Sequence, residues 1–345
     1  MESLGGSEFA LTSTYLNTAS CGVLPRRAVA AITSLVDELA AGRPGGAGDY
    51  AALGVARASF ARLCGVGEDR VAAGSSLAGQ VALVAAALPP GAEVLFPEGD
   101  FTSLITPFAI RGDLVLRYAP LKALADSVRP GTALVAFSAV QSADGRIADF
   151  AAVREAAAVH GARTLVDTSQ SAGWLPLDAG TFDATVTCGY KFLMGLRGVC
   201  FLTVTEDAQR TLRPLNAGNF ASVDWPMYGP VEHLAPDARR FDESPAYAAY
   251  HGAVASLALL EEVGVAAVHR HVTGLARRFT AGLDALGLPA VATDSAIVAV
   301  PGAGDRVERL ARAGVVASAR AGNLRFSFHL YNTPEHVDRA LDALA

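Results

Sequence analysis

Lys191 stands in the run Thr187-Cys188-Gly189-Tyr190-Lys191-Phe192-Leu193, twenty-four residues after Asp167, which ends the apolar run Thr164-Leu165-Val166. The chain has few lysines, and this one lies in an apolar, glycine-punctuated stretch. An amine there is either an accident of the surface or a buried base kept for chemistry. Desolvation lowers the pKa of an amine, improves it as a nucleophile and suits it to a Schiff base with a carbonyl. Asp167 could bind a metal, act as a base or pair with a cationic ring nitrogen; it could also merely cap the next turn. Gln170, three residues on, can hydrogen-bond a ring substituent. Phe101, in Pro97-Glu98-Gly99-Asp100-Phe101-Thr102-Ser103, could stack on a planar cofactor or fill the core. Ser138 and Gln141 offer polar groups after the run Leu134-Val135-Ala136-Phe137. Gly74-Ser75-Ser76 precedes a helical stretch opening at Leu77. Amides at a helix start with two hydroxyls can cradle phosphate, though small residues also cap many helices.

The elements that must position these groups alternate. Short β-branched runs occupy Val71–Ala73, Glu93–Phe96, Leu114–Tyr118, Leu134–Phe137, Thr164–Asp167, Ala184–Thr187 and Val199–Val204. Alanine-rich helical stretches fall at Arg27–Ala41, Tyr50–Leu63, Leu77–Ala87 and Phe150–His160. Such alternation predicts an α/β fold with a mostly parallel seven-stranded sheet covered on both faces. Ligands of open α/β sheets sit beyond the carboxyl ends of the strands, where several of the candidates above fall. Arg210 to Pro245 is proline-rich and aperiodic. After it come helices at Tyr247–Val263 and Ala266–Leu286. Ala296–Val300, Arg306–Ala313, Val315–Arg320, Leu324–Phe328 and Pro334–Leu344 then read as a smaller α+β domain. Thr333 and Pro334 supply a helix start for the last of these. The expected division is an N-terminal arm at 1–18, a large domain at 19–235 and a small domain at 236–345.

The formal net charge of -6 gives no general attraction for nucleic acid or an anionic membrane. The longest apolar stretch, Val81 to Pro90, is too short for a membrane span, and Met1 to Gly6 does not open a signal peptide. Four cysteines without a CxxC and seven histidines without ligand spacing argue against a disulfide framework or a zinc site. No metal, membrane or nucleic-acid partner is expected, and a reducing cytoplasm fits.

A phosphate cradle, a stacking ring, an acid for a ring nitrogen and a lysine together form the inventory for pyridoxal 5'-phosphate. The order Ser75, Phe101, Gln141, Asp167-Thr168-Ser169-Gln170, Tyr190-Lys191 and the late Arg325-Phe326-Ser327-Phe328-His329-Leu330-Tyr331-Asn332-Thr333 resembles the class V aminotransferases. These are fold-type I pyridoxal-phosphate enzymes that include cysteine desulfurases, kynureninases and ergothioneine-pathway C–S lyases. The resemblance runs from about Tyr15 to the C-terminus. It implies Lys191 as the Schiff-base lysine and proton shuttle, Asp167 at the pyridine nitrogen and Gln170 on the ring-hydroxyl side. It implies Phe101 as the stacking ring, with Ser75, Ser76 and Tyr190 at the phosphate and Gln141 also at the cofactor. Cys188 replaces a serine common three residues before the lysine. Arg325 is implied to bind the substrate carboxylate, a role suited to a bidentate guanidinium. Arg240-Phe241-Asp242-Glu243-Ser244-Pro245 falls where relatives reach the neighbouring subunit's phosphate, which implies a homodimer with shared sites and a contact from Ser244.

The chain carries no cysteine between Gly314 and Arg325, where desulfurases place a mobile nucleophile. Persulfide chemistry by that route is not expected. Gly189-Tyr190-Lys191-Phe192-Leu193, Arg197-Gly198 and the closing segment look nearest to the ergothioneine-type C–S lyases and kynureninase-like members. The expected function is a C–S β-lyase acting on a cysteine S-conjugate or sulfoxide. Aminotransferase and amino-acid epimerase are the alternatives. Tyr15, Trp225, Tyr228 and His329 could line the substrate pocket or serve structure.

Overall fold

The computed structural model describes residues 3–43 and 51–345. β1 (Thr14–Tyr15) lies in the N-terminal segment. β2 (Val71–Gly74), β3 (Glu93–Pro97), β4 (Val115–Ala119), β5 (Thr132–Ser138), β6 (Arg163–Asp167), β7 (Ala184–Cys188) and β8 (Cys200–Val204) form one sheet in the order β2-β8-β7-β6-β5-β3-β4. Its pairings are parallel except the two made by β8. Two reversals around β8 leave β2 pointing the same way as β7. Gly74, Pro97, Ser138, Asp167 and Cys188 therefore end at one edge. The sheet's central strands are buried on both faces, which is why they read as apolar runs without alternation.

The helices are α1 (Arg26–Ala40), α2 (Ala51–Cys64), α3 (Leu77–Ala87), α4 (Thr102–Ala109), α5 (Phe150–His160), α6 (Glu206–Thr211), α7 (Tyr247–Val263) and α8 (Val265–Ala285). The expected start of the second helix, Tyr50, lies outside the described residues. α5 shows why its ends were readable. The Asp149 carboxylate accepts from the Ala152 amide at 3.0 Å, and Gly161 closes the helix at a φ of 68°. α7 and α8 meet at Gly264 with a bend of 82°. No single helix among the described residues is long and apolar enough to cross a membrane.

The smaller unit holds β9 (Ile297–Val300), α9 (Val307–Arg312), β10 (Val315–Val316), β11 (Ser318–Arg320), β12 (Asn323–Ser327) and α10 (Pro334–Leu344). β11, β12 and β9 form an antiparallel sheet in that order, while β10 pairs in parallel with β1. The expected run Val315–Arg320 is thus two strands. One extended segment cannot pair in both sheets, and the chain changes sheet at Ala317.

α7 packs on α1 and α2, and the turn Ala238–Phe241 lies on β2. Buried Asp242 explains the attachment: it pairs with Arg57 at 2.6 Å and accepts from the Ala73 amide at 2.8 Å. Tyr250 of α7 donates to the carbonyl of Gly74 at 2.8 Å. Residues expected in the small domain thereby pack with the large sheet, through polar contacts distant in sequence.

Candidate active site

A cavity of about 630 Å³ opens at the carboxyl edge of the sheet. Ser75, Ser76, Phe101, Gln170, Tyr190, Lys191 and Arg325, scattered over 251 positions of chain, all line it. Ser76 caps α3, its hydroxyl accepting from the Gly79 amide at 3.2 Å. Leu77 and Ala78 of its first turn line the cavity, and amides at a helix start are suited to an anion. Ser75 already donates its amide to the Glu243 carboxylate at 3.1 Å.

Lys191 is buried, with its Nζ 5.1 Å from the centroid of the Phe101 ring and 5.7 Å from that of Tyr190. Burial lowers its pKa from the usual lysine value; the Asp167 carboxylate works against this shift, and Arg325 and Arg197 add to it. Asp167 is buried too, and burial raises its pKa against the pull of the Lys191 charge. Its Oδ1 accepts from the Ser169 amide at 2.8 Å, which fixes the carboxylate as β6 ends. Gly22 makes room beside the lysine. Its amide donates to the Tyr190 carbonyl at 2.8 Å, and a Cβ there would sit 2.1 Å from the Lys191 carbonyl oxygen.

Arg325 rises from β12 with only 2% of its surface exposed. It donates to the Ser318 hydroxyl at 3.2 Å, to the Ser142 carbonyl and to the Ser20 hydroxyl at 2.7 Å. Among the described residues no carboxylate pairs with it, so it is not an internal salt bridge. A buried guanidinium without a counter-ion is costly unless an anion arrives. Burial pulls its pKa down to about 10, with the Arg320 charge adding to the effect.

The rest of the closing motif positions the N-terminal segment. Ser327 accepts from the Ala19 amide at 2.8 Å, Tyr331 bonds Thr18 at 2.5 Å, and Asn332 donates to the Tyr15 carbonyl at 2.8 Å. These bonds bring Ala19 and Ser20 to the cavity, where Gln170 donates to the Ala19 carbonyl at 3.0 Å. The other amide atom of Gln170, Oε1, is buried without a partner.

Several expected residues lie elsewhere. Gln141 is outside the lining; its amide donates to Asp100 at 3.1 Å. Ser138 is turned to Asp100 as well. His329 is fully buried, donating to the Phe192 carbonyl at 2.8 Å and accepting from the Leu330 amide at 2.7 Å. Burial lowers its pKa to about 4, so it is a neutral core imidazole rather than a pocket group. Tyr15 donates to the Cys21 carbonyl at 2.7 Å, Trp225 packs edge-on to Phe220, and Tyr228 is 93% exposed. None of the three lines the cavity. Ser244 is exposed and outside the cavity of its own chain.

Other groups escaped the sequence reading. Asp100 is a buried hub whose carboxylate accepts from the amides of Phe101 and Ser138 and from the side chains of Ser138 and Gln141. It holds the loop that presents Phe101. Ser20, Ser142, Arg197 and Arg320 line the cavity, and Arg197 lies 4.1 Å over the Tyr190 ring. The available signal was proximity in sequence: Asp100 precedes Phe101, and Arg197 follows Lys191 by six.

Residues 112–296, more than half of the chain, match the family described as aminotransferase class-V. The chain belongs to the class-V aminotransferases. Isopenicillin N epimerase of Streptomyces clavuligerus is 30% identical, with 96% of this chain and 94% of that protein covered. The uncharacterized aminotransferase YcbU of Bacillus subtilis is 27% identical over 84% of this chain and 82% of its own length. The cystine C–S lyase C-DES, solved with its product cysteine persulfide, has the same fold, with a TM-score of 0.85 at 24% identity over 96% of this chain and 97% of that one.

This class-V aminotransferase is a pyridoxal-phosphate enzyme. The donor set agrees with that cofactor on two observations: the orphaned Gln170 Oε1 at the cavity wall, and an amine and a carboxylate buried together beside an aromatic ring.

Proposed function

We propose that the protein is a C–S β-lyase of the ergothioneine-pathway type, taking a cysteine S-conjugate or sulfoxide. We further propose that it works in the cytoplasm as a homodimer with active sites at the subunit interface. The carrying observation is that Lys191 supplies the cavity's one amine base among the described residues. Among the described residues, the lining holds the Lys191 amine but no carboxylate and no imidazole. Elimination needs one base that takes the Cα proton. A two-base epimerisation needs a second on the opposite face.

When bound, pyridoxal phosphate supplies the electron sink for the Cα carbanion. Asp167 would hold the ring nitrogen, Phe101 the ring face, Gln170 the ring-hydroxyl side, and Ser75, Ser76 and Tyr190 the phosphate. Lys191 tethers the cofactor and, once displaced, receives the Cα proton at Nζ. Arg325 grips the α-carboxylate and so orients the Cα–H bond toward Lys191. With that sink the Cβ–S electron pair would leave on sulfur, which takes a proton back from Lys191, and re-formation of the Lys191 tether would release 2-aminoacrylate, which takes up water to give pyruvate and ammonia. For the dimer, exposed apolar groups on the proline-rich segment, Met227 at 74% and Tyr228 at 93%, favour a covering surface.

Purified protein is expected to be yellow, to bleach with borohydride, and to lose that colour in Lys191→Ala. It is expected to release equal amounts of pyruvate and ammonia from cysteine S-conjugates. The full-length similarity to isopenicillin N epimerase favours a second reading, epimerisation. Inversion at Cα without pyruvate would establish that reading and remove the lyase.

A further inference from the structure

Two guanidiniums meet at the mouth of the cavity. Ser20 accepts from Arg325 at 2.7 Å and from Arg320 at 3.1 Å. Apart from that shared hydroxyl, Arg320 makes one hydrogen bond to the neighbouring Ala319 carbonyl, at 2.7 Å. No carboxylate pairs with either arginine among the described residues. Burial lowers the pKa of Arg325, and the opposing charge of Arg320 adds to that shift.

The hairpin places them together by register. β11 pairs with β12 so that Ser318 faces Arg325 and Arg320 faces Asn323. Alternation along the strands puts Ser318, Arg320 and Arg325 on one face. Ala321 and Gly322 turn the chain with φ of 48° and 79°, as a tight two-residue hairpin requires. Arg320 is therefore held one residue from a rigid turn, further out than Arg325 and exposed where Arg325 is buried.

One α-carboxylate accounts for one guanidinium. We infer that the amino-acid substrate carries a second carboxylate at the end of its side chain, and that Arg320 receives it. This inference rests on the reading that Arg325 holds the α-carboxylate, but not on the fate of the Cβ–S bond. The buried arginine fixes the constant part of the substrate. The exposed one selects the variable part, and the Ser20 hydroxyl between them sets the spacing.

The test is binding of L-glutamate and L-glutamine to the cofactor-loaded enzyme by calorimetry. The two ligands differ by a charge at nearly constant shape, and neither has a β-sulfur, so a failed lyase reading leaves the comparison intact. The parent is expected to prefer glutamate by about tenfold, the scale of one charge-assisted hydrogen bond. In Arg320→Gln the ratio should fall to near one, and Arg320→Lys should keep most of it. Melting curves of both variants check that they are folded. Equal affinities in the parent, a preference that survives Arg320→Gln, or no measurable binding of either ligand would overturn the inference. So would an equal weakening of both ligands in Arg320→Gln, which would assign Arg320 to the α-carboxylate.

Discussion

Lys191 and Asp167 are each shifted toward their neutral forms by burial, and each holds the other partly charged. For the lysine this has a kinetic consequence. The free amine captures an aldehyde, and its population grows as pH rises through the depressed pKa. Capture of pyridoxal phosphate by the cofactor-free protein should therefore accelerate with pH and level off below the usual lysine range. A rate still climbing past that range would show an unshifted amine. Asp167→Asn removes the charge meant for the ring nitrogen. Turnover should fall about tenfold to a hundredfold, as for a lost charge-assisted hydrogen bond. The cofactor-free variant should melt no lower than the parent, since a desolvated carboxylate has been neutralised. A large drop in melting temperature would instead make Asp167 a structural residue.

At the level of elements, the site depends on close approaches between segments far apart in sequence. Gly22 is one. Gly22→Ala sets a Cβ 2.1 Å from the Lys191 carbonyl, so the arm or the lysine loop must shift. A loss of about 1–3 kcal/mol by chemical denaturation is expected, with weakened retention of the cofactor. The β11–β12 turn carries the opposite opportunity. Ala321 holds a left-handed conformation that costs an L-residue roughly 1–2 kcal/mol. Ala321→Gly should stabilise the protein by about 1 kcal/mol, less whatever glycine loses in chain entropy. A destabilised Ala321→Gly would mean that the alanine methyl packs usefully in the hairpin.

For the molecule as a whole, His329 couples stability to pH. It lies between Phe192 and Tyr331, stacked on both rings, with a pKa lowered from 6.5 to about 4. Between those values the unfolded chain binds more protons than the folded one. Stability is thus complete above pH 6.5 and is lost as pH falls toward 4, by up to about 3 kcal/mol for this group. His271 and His336, also lowered, add in the same direction. Denaturant unfolding of cofactor-free protein at steps from about pH 7 to about pH 4, the range in which histidine titrates, measures the slope. In His329→Gln the slope should flatten, whatever the absolute stability of the variant.

Local signals specified the sheet and the covering helices, and they pointed to seven of the residues that line the cavity. Apolar strand runs, helix caps such as Asp149 and Gly161, and reactive residues at strand ends are local signals, written within a few positions of one another. Lys191, Asp167, Gln170 and Phe101 were readable for that reason. Tertiary structure alone decided which polar residues face the cavity. Gln141 is consumed by Asp100, and His329 by the backbone of Phe192 and Leu330, because each found a buried partner at closer reach. Ser20 gained its place beside Arg320 and Arg325 only when Ser327, Tyr331 and Asn332 drew the N-terminal segment against β12. Those contacts join residues some three hundred positions apart, and no local pattern encodes where such partners will meet.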